Sequence, residues 1–310
     1  MEKKFSIITN MKDLVGDTPL FKIRHPFSDQ VQVYAKCEWV NPSGSVKDRA
    51  ALFMFQDALD RGLLDNKILI DATSGNTGLA FAMLASSHQV PLELALPENA
   101  SMERKLLLKN YGAKIHFTSP LEGTDGAQKF VKKLVEEYPD KYYYPDQYNN
   151  EMNWKAHYHG TGPEIWEQTD HQVTHFVAGL GTSGTFIGTS RFLRERAVHC
   201  TAVHPDNPMH GLEGWKHMET AIVPGIYDAQ LADDNQEVCT EEAYRYARGA
   251  FCHLALPLSP SSAANLVVSL RLAESLGSGV VVTIFPDNAA KYLQESFWTD
   301  DDYIIENPFF

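Results

Sequence analysis

The sequence predicts an α/β protein built on two twisted, open, mainly parallel sheets with helices on both faces. Three observations carry this. Strand-like and helix-like patterns alternate along the chain, which is the order of βαβ units. Two glycine loops, at residues 73–78 and 179–185, each sit between a strand pattern and a helix pattern. With 310 residues and 44% hydrophobic content, the chain can bury a large core, in one large domain or two medium ones.

Taken in order, Val15-Gly16-Asp17-Thr18-Pro19-Leu20 reads as a turn entering a short strand, and residues 31–37 read as a second strand. That strand stops at Asn41-Pro42-Ser43-Gly44. A helical pattern follows with Ser45 as its cap, runs from Lys47 to about Leu59 and is stopped by Arg61-Gly62. Residues 67–71 form a strand, and after the first glycine loop Leu79 opens a helix. Strands at 92–96 and 114–117 flank a helix at 102–110 that closes on Tyr111-Gly112. Ala127, Phe130, Val131, Leu134 and Val135 recur at helical spacing, so this helix lays one stripe on a core before Pro139 ends it. The turn-rich Tyr144-Pro145-Asp146-Gln147-Tyr148-Asn149-Asn150 interrupts the periodicity and is placed as the seam between domains. Beyond it come a helix at 152–168, strands at 174–178 and 200–203, a helix from Glu241, another at 262–276 and a strand at 279–284. Residues 206–228 show little periodicity and contain three glycines, so they form a long functional loop or a disordered one.

A formal net charge of −13 argues against a nucleic-acid backbone or an anionic membrane as the main partner. No apolar run approaches a membrane span, and the first six residues lack the apolar core of a signal peptide, so a cytoplasmic location is expected. Cys37, Cys200, Cys239 and Cys252 have neither close pairing nor metal-ligand spacing and read as reduced thiols in or near cores. His157 and His159 have no third ligand nearby, so a metal site is not expected.

Lys47 draws notice because a cation at the head of a helix meets the positive end of the helix dipole. An amine that must be neutral to attack a carbonyl gains from that setting. Gly179-Leu180-Gly181-Thr182-Ser183-Gly184 matches the GxGxxG pattern of dinucleotide sites, whose backbone N–H groups hold phosphate at a helix N-terminus. Such a site also wants an acid at the end of the next strand, where this chain has Val203-His204. The hydroxyls of Thr182, Ser183 and Thr185 suit a terminal monophosphate better than a bridging pyrophosphate.

Lys36, Glu38, Asn41-Pro42, Ser45 and Lys47-Asp48-Arg49, then Thr73-Ser74-Gly75-Asn76-Thr77-Gly78, then Gly181-Thr182-Ser183-Gly184-Thr185 occur in an order that resembles one family. It is the pyridoxal-phosphate enzymes of the tryptophan-synthase β-subunit fold (fold type II). Within them the chain is most similar to cysteine synthase (O-acetylserine sulfhydrylase), of the cysteine synthase B type. Gly16-Asp17-Thr18-Pro19-Leu20, Asp146-Gln147-Tyr148-Asn149-Asn150 and Gly160-Thr161-Gly162-Pro163-Glu164-Ile165-Trp166 support the likeness, which runs from about residue 13 to about 295.

The resemblance implies two α/β domains with pyridoxal 5'-phosphate in the cleft between them. Residues 1–40 and 151–310 would form the larger, phosphate-binding domain, and 41–150 a smaller, mobile, substrate-binding one. Lys47 would form the Schiff base, and Gly181, Thr182, Ser183, Gly184 and Thr185 would hold the phosphate. Asn76 would meet the ring 3-hydroxyl. Thr73, Ser74, Gly75, Thr77, Gln147 and Gly211 would face the amino-acid substrate, whose carboxylate needs no arginine in a nest of N–H groups and hydroxyls. The family's serine opposite the pyridine nitrogen aligns with Ser261, with Ser259 and Ser262 as alternatives, because Ser259 and Ala263 replace the glycines of the family pattern. The implied reaction forms cysteine from O-acetylserine and sulfide through an aminoacrylate, in a homodimer that could accept the C-terminal peptide of serine acetyltransferase. Serine or threonine dehydratase, cystathionine β-synthase, an O-phosphoserine-using sulfhydrylase and a non-catalytic binding homologue are the alternatives. Relatives of the B type can carry arginine where this chain has Glu213; a glutamate facing the site would disfavour doubly charged thiosulfate and O-phosphoserine.

Overall fold

A computed structural model describes residues 7–73 and 75–300. In chain order the strands are β1 (Leu20–Ile23), β2 (Val31–Cys37), β3 (Ile68–Ala72), β4 (Leu92–Pro97), β5 (Lys114–Thr118), β6 (Tyr142–Tyr143), β7 (His175–Gly179), β8 (His199–Pro205), β9 (Asp234–Val238) and β10 (Gly279–Phe285). The helices are α1 (Lys47–Asp60), α2 (Asn76–Ser87), α3 (Met102–Asn110), α4 (Gly123–Glu137), α5 (Glu151–Ala156), α6 (Gly162–Gln168), α7 (Gly184–Arg194), α8 (Thr240–Leu254) and α9 (Pro260–Ser275). The chain divides into two compact units: one holds Asn41–Ser43, Lys47–Asp146 and the described residues up to Gly16, the other Asp17–Val40, Gly44–Val46 and Gln147 onward.

The second unit contains a six-stranded sheet of order β1-β2-β10-β7-β8-β9, parallel except for the antiparallel β1 at one edge. Both faces are covered, and the strand period of two sorts the side chains between them. Val33, Ala35, Val177, Val203, Val281 and Phe285 point into one core with α8 and α9. Phe176, Ala178, Cys200, Ala202, Val282 and Ile284 point into the other with Ile165, Phe186 and Ile187. This is why Val280-Val281-Val282 is apolar throughout rather than alternating.

In the first unit the sheet order is β5-β4-β3-β6, all parallel. Ile70 and Ala72 of β3 and Ala95 of β4 meet Ala127 and Val131 of α4, with Leu134 and Val135 at the margin. Phe130, expected in that stripe, is exposed. The opposite face of β3, carrying Leu69 and Asp71, turns toward the side where α2 packs.

Four sequence expectations need correction. The helix expected at 152–168 is α5 and α6 joined by a π-helical turn, His157–Thr161. β9 was unexpected because its Asp234-Asn235-Gln236-Glu237 is polar, as an edge strand allows. Ser45 stands two residues before the first helical residue, Lys47, so it does not occupy the cap position. Cys37 and Cys200 are buried, but Cys239 is half-buried and Cys252 exposed on α8. All four are free thiols, and burial pushes those of Cys37 and Cys200 up to about 12 and about 11. Residues 206–228 are neither helix nor strand, yet they are ordered against the second unit. No described helix is long and apolar enough to cross a membrane.

Candidate active site

β7 runs directly into Leu180-Gly181-Thr182-Ser183, and Gly184 opens α7. Ser183 occupies the N-cap with φ of 68°, a left-handed conformation that turns successive N–H groups the same way. Its hydroxyl is buried and has no hydrogen-bond partner among the described residues. A buried, unsatisfied hydroxyl costs about 1–3 kcal/mol unless something accepts from it or donates to it. A Cβ at Gly181 would lie 2.1 Å from the Gly214 carbonyl oxygen, and one at Gly184 would lie 2.0 Å from Asn153 Oδ1, so both positions admit only glycine without rearrangement. An oxyanion placed here would meet the α7 N-terminus and the orphaned Ser183 hydroxyl, and this combination fits a phosphate.

Two side chains that the sequence reading missed hold this loop. Asn153 Nδ2 donates to Thr182 Oγ1 at 3.0 Å and to the Gln147 carbonyl at 2.7 Å. His157, in the π-helical turn, reaches Thr161 Oγ1 with Nδ1 at 2.8 Å and Thr185 Oγ1 with Nε2 at 3.3 Å. π-turns are rare and recur at functional sites; here the extra residue brings the His157 ring beneath Thr185. Neither role is visible in local spacing, because the contacts to Thr182 and Thr185 span almost thirty positions. The loop at 206–228 docks on the same element: Lys216 N–H donates to Leu180 O at 2.8 Å and Leu212 is fully buried. Gly211 N–H donates to Thr240 Oγ1 at 2.9 Å, and Glu213 is exposed.

In the first unit, β3 leads into the loop at 73–75. Gly75 occupies the N-cap of α2, a 12-residue helix, and as a glycine offers no side chain to cap it. Asn76 is its first residue; Thr73 and Thr77 are buried, and Thr73 Oγ1 accepts the Gly75 N–H at 3.3 Å. Ser74 lies outside the described residues. The positive partial charge of a helix N-terminus makes this end suited to a carboxylate. Gln147, buried in the second unit, is the other residue expected at the substrate carboxylate.

Lys47 is half-buried and is the first residue of α1, which packs along α2. Asn41 Oδ1 accepts the Gly16 N–H at 2.9 Å, and the fully buried Asp48 carboxylate accepts both the Ser43 N–H and the Ser43 hydroxyl. A carboxylate in the first turn stabilises the helix start while leaving Lys47 beside it. Two other lysines are committed elsewhere. Lys36 is fully buried, ion-paired to Glu164 at 2.6 Å and bonded to Thr18 O at 2.5 Å and Gln168 Oε1 at 2.9 Å. Lys291 Nζ donates to Gly44 O at 3.0 Å.

The three candidate serines sit at the start of α9. Ser259 is the N-cap, accepting the Ser262 N–H at 3.2 Å, and Ser262 Oγ donates to Asp287 O at 2.7 Å. Both are fully buried, whereas Ser261 keeps 5% of its surface and its hydroxyl bonds, among the described residues, only the Ser259 hydroxyl, at 3.2 Å. The helix start therefore uses Ser259 and Ser262 in its own architecture.

Residues 11–287 match the family described as pyridoxal-phosphate dependent enzyme. The cysteine synthase of Aquifex aeolicus is 49% identical over 300 residues, covering 93% of this chain and 92% of that protein. Cysteine synthase B of Escherichia coli is 36% identical, covering 96% of this chain and 98% of its own length. Among solved structures, the cysteine synthase of Entamoeba histolytica superposes with a TM-score of 0.93 at 29% identity, covering all of this chain and 95% of the other. A glycine loop at α7 that fits a phosphate, a lysine at the head of α1 and a match spanning nearly the whole chain agree, and the chain belongs to the family of pyridoxal-phosphate dependent enzymes.

Proposed function

We propose that this protein makes L-cysteine from O-acetyl-L-serine and sulfide. The observation that carries the reading is the likeness to the Aquifex aeolicus cysteine synthase over 93% of the chain. The geometry of the two helix N-termini, one suited to a phosphate and one to a carboxylate, supports it. When bound, pyridoxal phosphate supplies an aldehyde that joins an amine and a ring that delocalises the charge left by the α-proton. Lys47 is the amine that holds it. Lys47 would also be the general base that takes the α-proton and later returns it. Gly181, Thr182, Ser183, Gly184 and Thr185 bind the phosphate, and Asn76 the ring hydroxyl. Thr73, Ser74, Gly75, Thr77 and Gln147 hold the substrate carboxylate, with Gly211 in the loop that faces the substrate. The net exchange replaces the acetate group on the substrate β-carbon by sulfide. The unit carrying α7 is the phosphate-binding domain in this reading, and the unit carrying α2 the mobile, substrate-binding one.

Initial rates of cysteine formation from O-acetylserine and sulfide test the proposal. Turnover that proceeds only with L-serine and homocysteine would instead make it a cystathionine synthase. A homodimer in the cytoplasm is the implied assembly and place, and light scattering on the purified protein decides the former. A serine acetyltransferase C-terminal peptide, if it docks, should compete with O-acetylserine.

Ser261 is our choice for the group opposite the pyridine nitrogen. Ser261→Ala should be mild, because one neutral hydrogen bond contributes about 0.5–1.5 kcal/mol. Ser261→Asp should be far worse, since a carboxylate would keep the ring protonated and retard loss of the β-substituent. Equal, severe losses in kcat for both would mean that Ser261 only packs. Glu213→Arg should raise the ratio of kcat/KM for thiosulfate to that for sulfide; one unit charge a few ångströms from another is worth on the order of 4 kcal/mol at an effective dielectric near 20, before screening. An unchanged ratio would show that Glu213 does not set this preference.

A further inference from the structure

Asp71 is the penultimate residue of β3, two positions before Thr73, and it is fully buried. Its Oδ1 accepts the Ala72 N–H at 2.7 Å, while Oδ2 has no hydrogen-bond partner among the described residues. The nature of its surroundings sharpens the question of what holds it there. α2, packed on this side of the sheet, carries no charged residue. The charged residue of β4, Glu93, is engaged with Lys114 at 3.1 Å, His116 at 2.6 Å and Tyr142 at 3.0 Å. The charged group that acts on Asp71 is another carboxylate, Asp146, which stands at φ of 48° immediately before Gln147. A carboxyl group with an unused oxygen, a second carboxylate nearby and no cation acting on it among the described residues is not a fold-stabilising arrangement.

Taking as given the carboxylate-binding role proposed for residues 73–77, we propose that Asp71 is a positioning residue for the amino-acid substrate, its buried side chain fixing Ala72 and the start of that loop against Asp146. Burial is the main cause that pushes the Asp71 carboxyl up to about 8; the Ala72 N–H opposes the rise and Asp146 adds to it. The neutral acid can therefore sit beside Asp146 at neutral pH and lend the loop a fixed anchor. Ionisation above pH 8 places a second negative charge there. That charge repels Asp146, disturbs the loop and opposes the incoming substrate carboxylate.

The test compares KM and kcat for O-acetylserine in the holoenzyme between pH 7 and 9 for the wild type, Asp71→Asn and Asp71→Leu. Asparagine keeps an acceptor and a donor but cannot ionise. If the ionised form does not bind, the ratio of wild-type to Asp71→Asn KM should rise about tenfold from pH 7 to pH 9, with the kcat ratio nearly constant. Asp71→Leu, lacking both polar atoms, should raise KM at every pH. The melting temperature of the wild type should also fall between about pH 5 and 8 relative to that of Asp71→Asn, because in that window the folded chain holds a proton that the unfolded chain has lost. A KM ratio that stays flat while the wild type makes cysteine overturns the role of Asp71 alone. A wild type that makes no cysteine from O-acetylserine overturns the functional reading, and this inference with it. If Asp71→Leu does not fold, the asparagine variant still decides.

Discussion

Lys47→Ala is expected to lower cysteine formation by at least about 10²–10⁴-fold, the range for removing a positioned general base, with further loss because the covalent attachment of the cofactor goes with it. The purified wild type should be yellow, and the variant should lose that visible band or carry it only when an external amine is added. The fold should survive, since Lys47 is half-buried at a helix start and the helix is anchored by the Asp48 carboxylate on Ser43. Borohydride reduction followed by peptide mapping identifies the lysine directly. A modified peptide containing Lys36 or Lys291 would sink the assignment. Lys36 would have to break an ion pair with Glu164 and two further hydrogen bonds before it could react, which costs several kcal/mol in a fully buried setting.

Gly181→Ala should be severely damaging for a change of a single carbon. Its new Cβ meets a backbone carbonyl, Gly214 O, at 2.1 Å, so either the phosphate loop or the loop docked on it must move. Overpacking of this kind costs about 1–3 kcal/mol, and every 1.4 kcal/mol that falls on the holo form weakens cofactor retention tenfold. Gly277→Ala is the control, because nothing lies within 4 Å of the added carbon. Dialysis against a cofactor-free buffer, followed by the visible spectrum, reads both. Equal retention in the two variants would mean that residues 206–228 do not hold the phosphate loop.

The glycines at 179–184 show what was legible in the sequence and what was not. Their spacing was enough to place a glycine loop between a strand and the helix α7. The reason for Gly181 and Gly184 themselves was hidden, since it lies in Gly214 O and Asn153, residues brought in from about thirty positions away. The serine cluster behaved similarly. Its location at the head of a helix could be read, but not that the Asp287 carbonyl engages Ser259 and Ser262. Elements buried on both faces, such as β10, announce themselves as apolar runs. β9 does not, because an edge strand needs only Val238 buried. Asp71 carried no signal at all: a carboxylate at a strand end reads as a turn residue until its burial is known.

The register of the larger sheet has a consequence for how the chain comes off the ribosome. β2 lies between β1 and β10, and Val31 pairs with Gly279, a residue made about 250 positions later. At roughly 5–20 residues per second, the β1–β2 hairpin waits on the order of ten to fifty seconds for that neighbour. Over the same interval β3 to β6, whose parallel pairings all lie within residues 68–143, are complete and can fold. The nascent protein thus carries one finished half while Val31, Val33 and Ala35 remain an uncovered apolar edge. A chaperone that shields the hairpin should matter for yield much more than one acting after release.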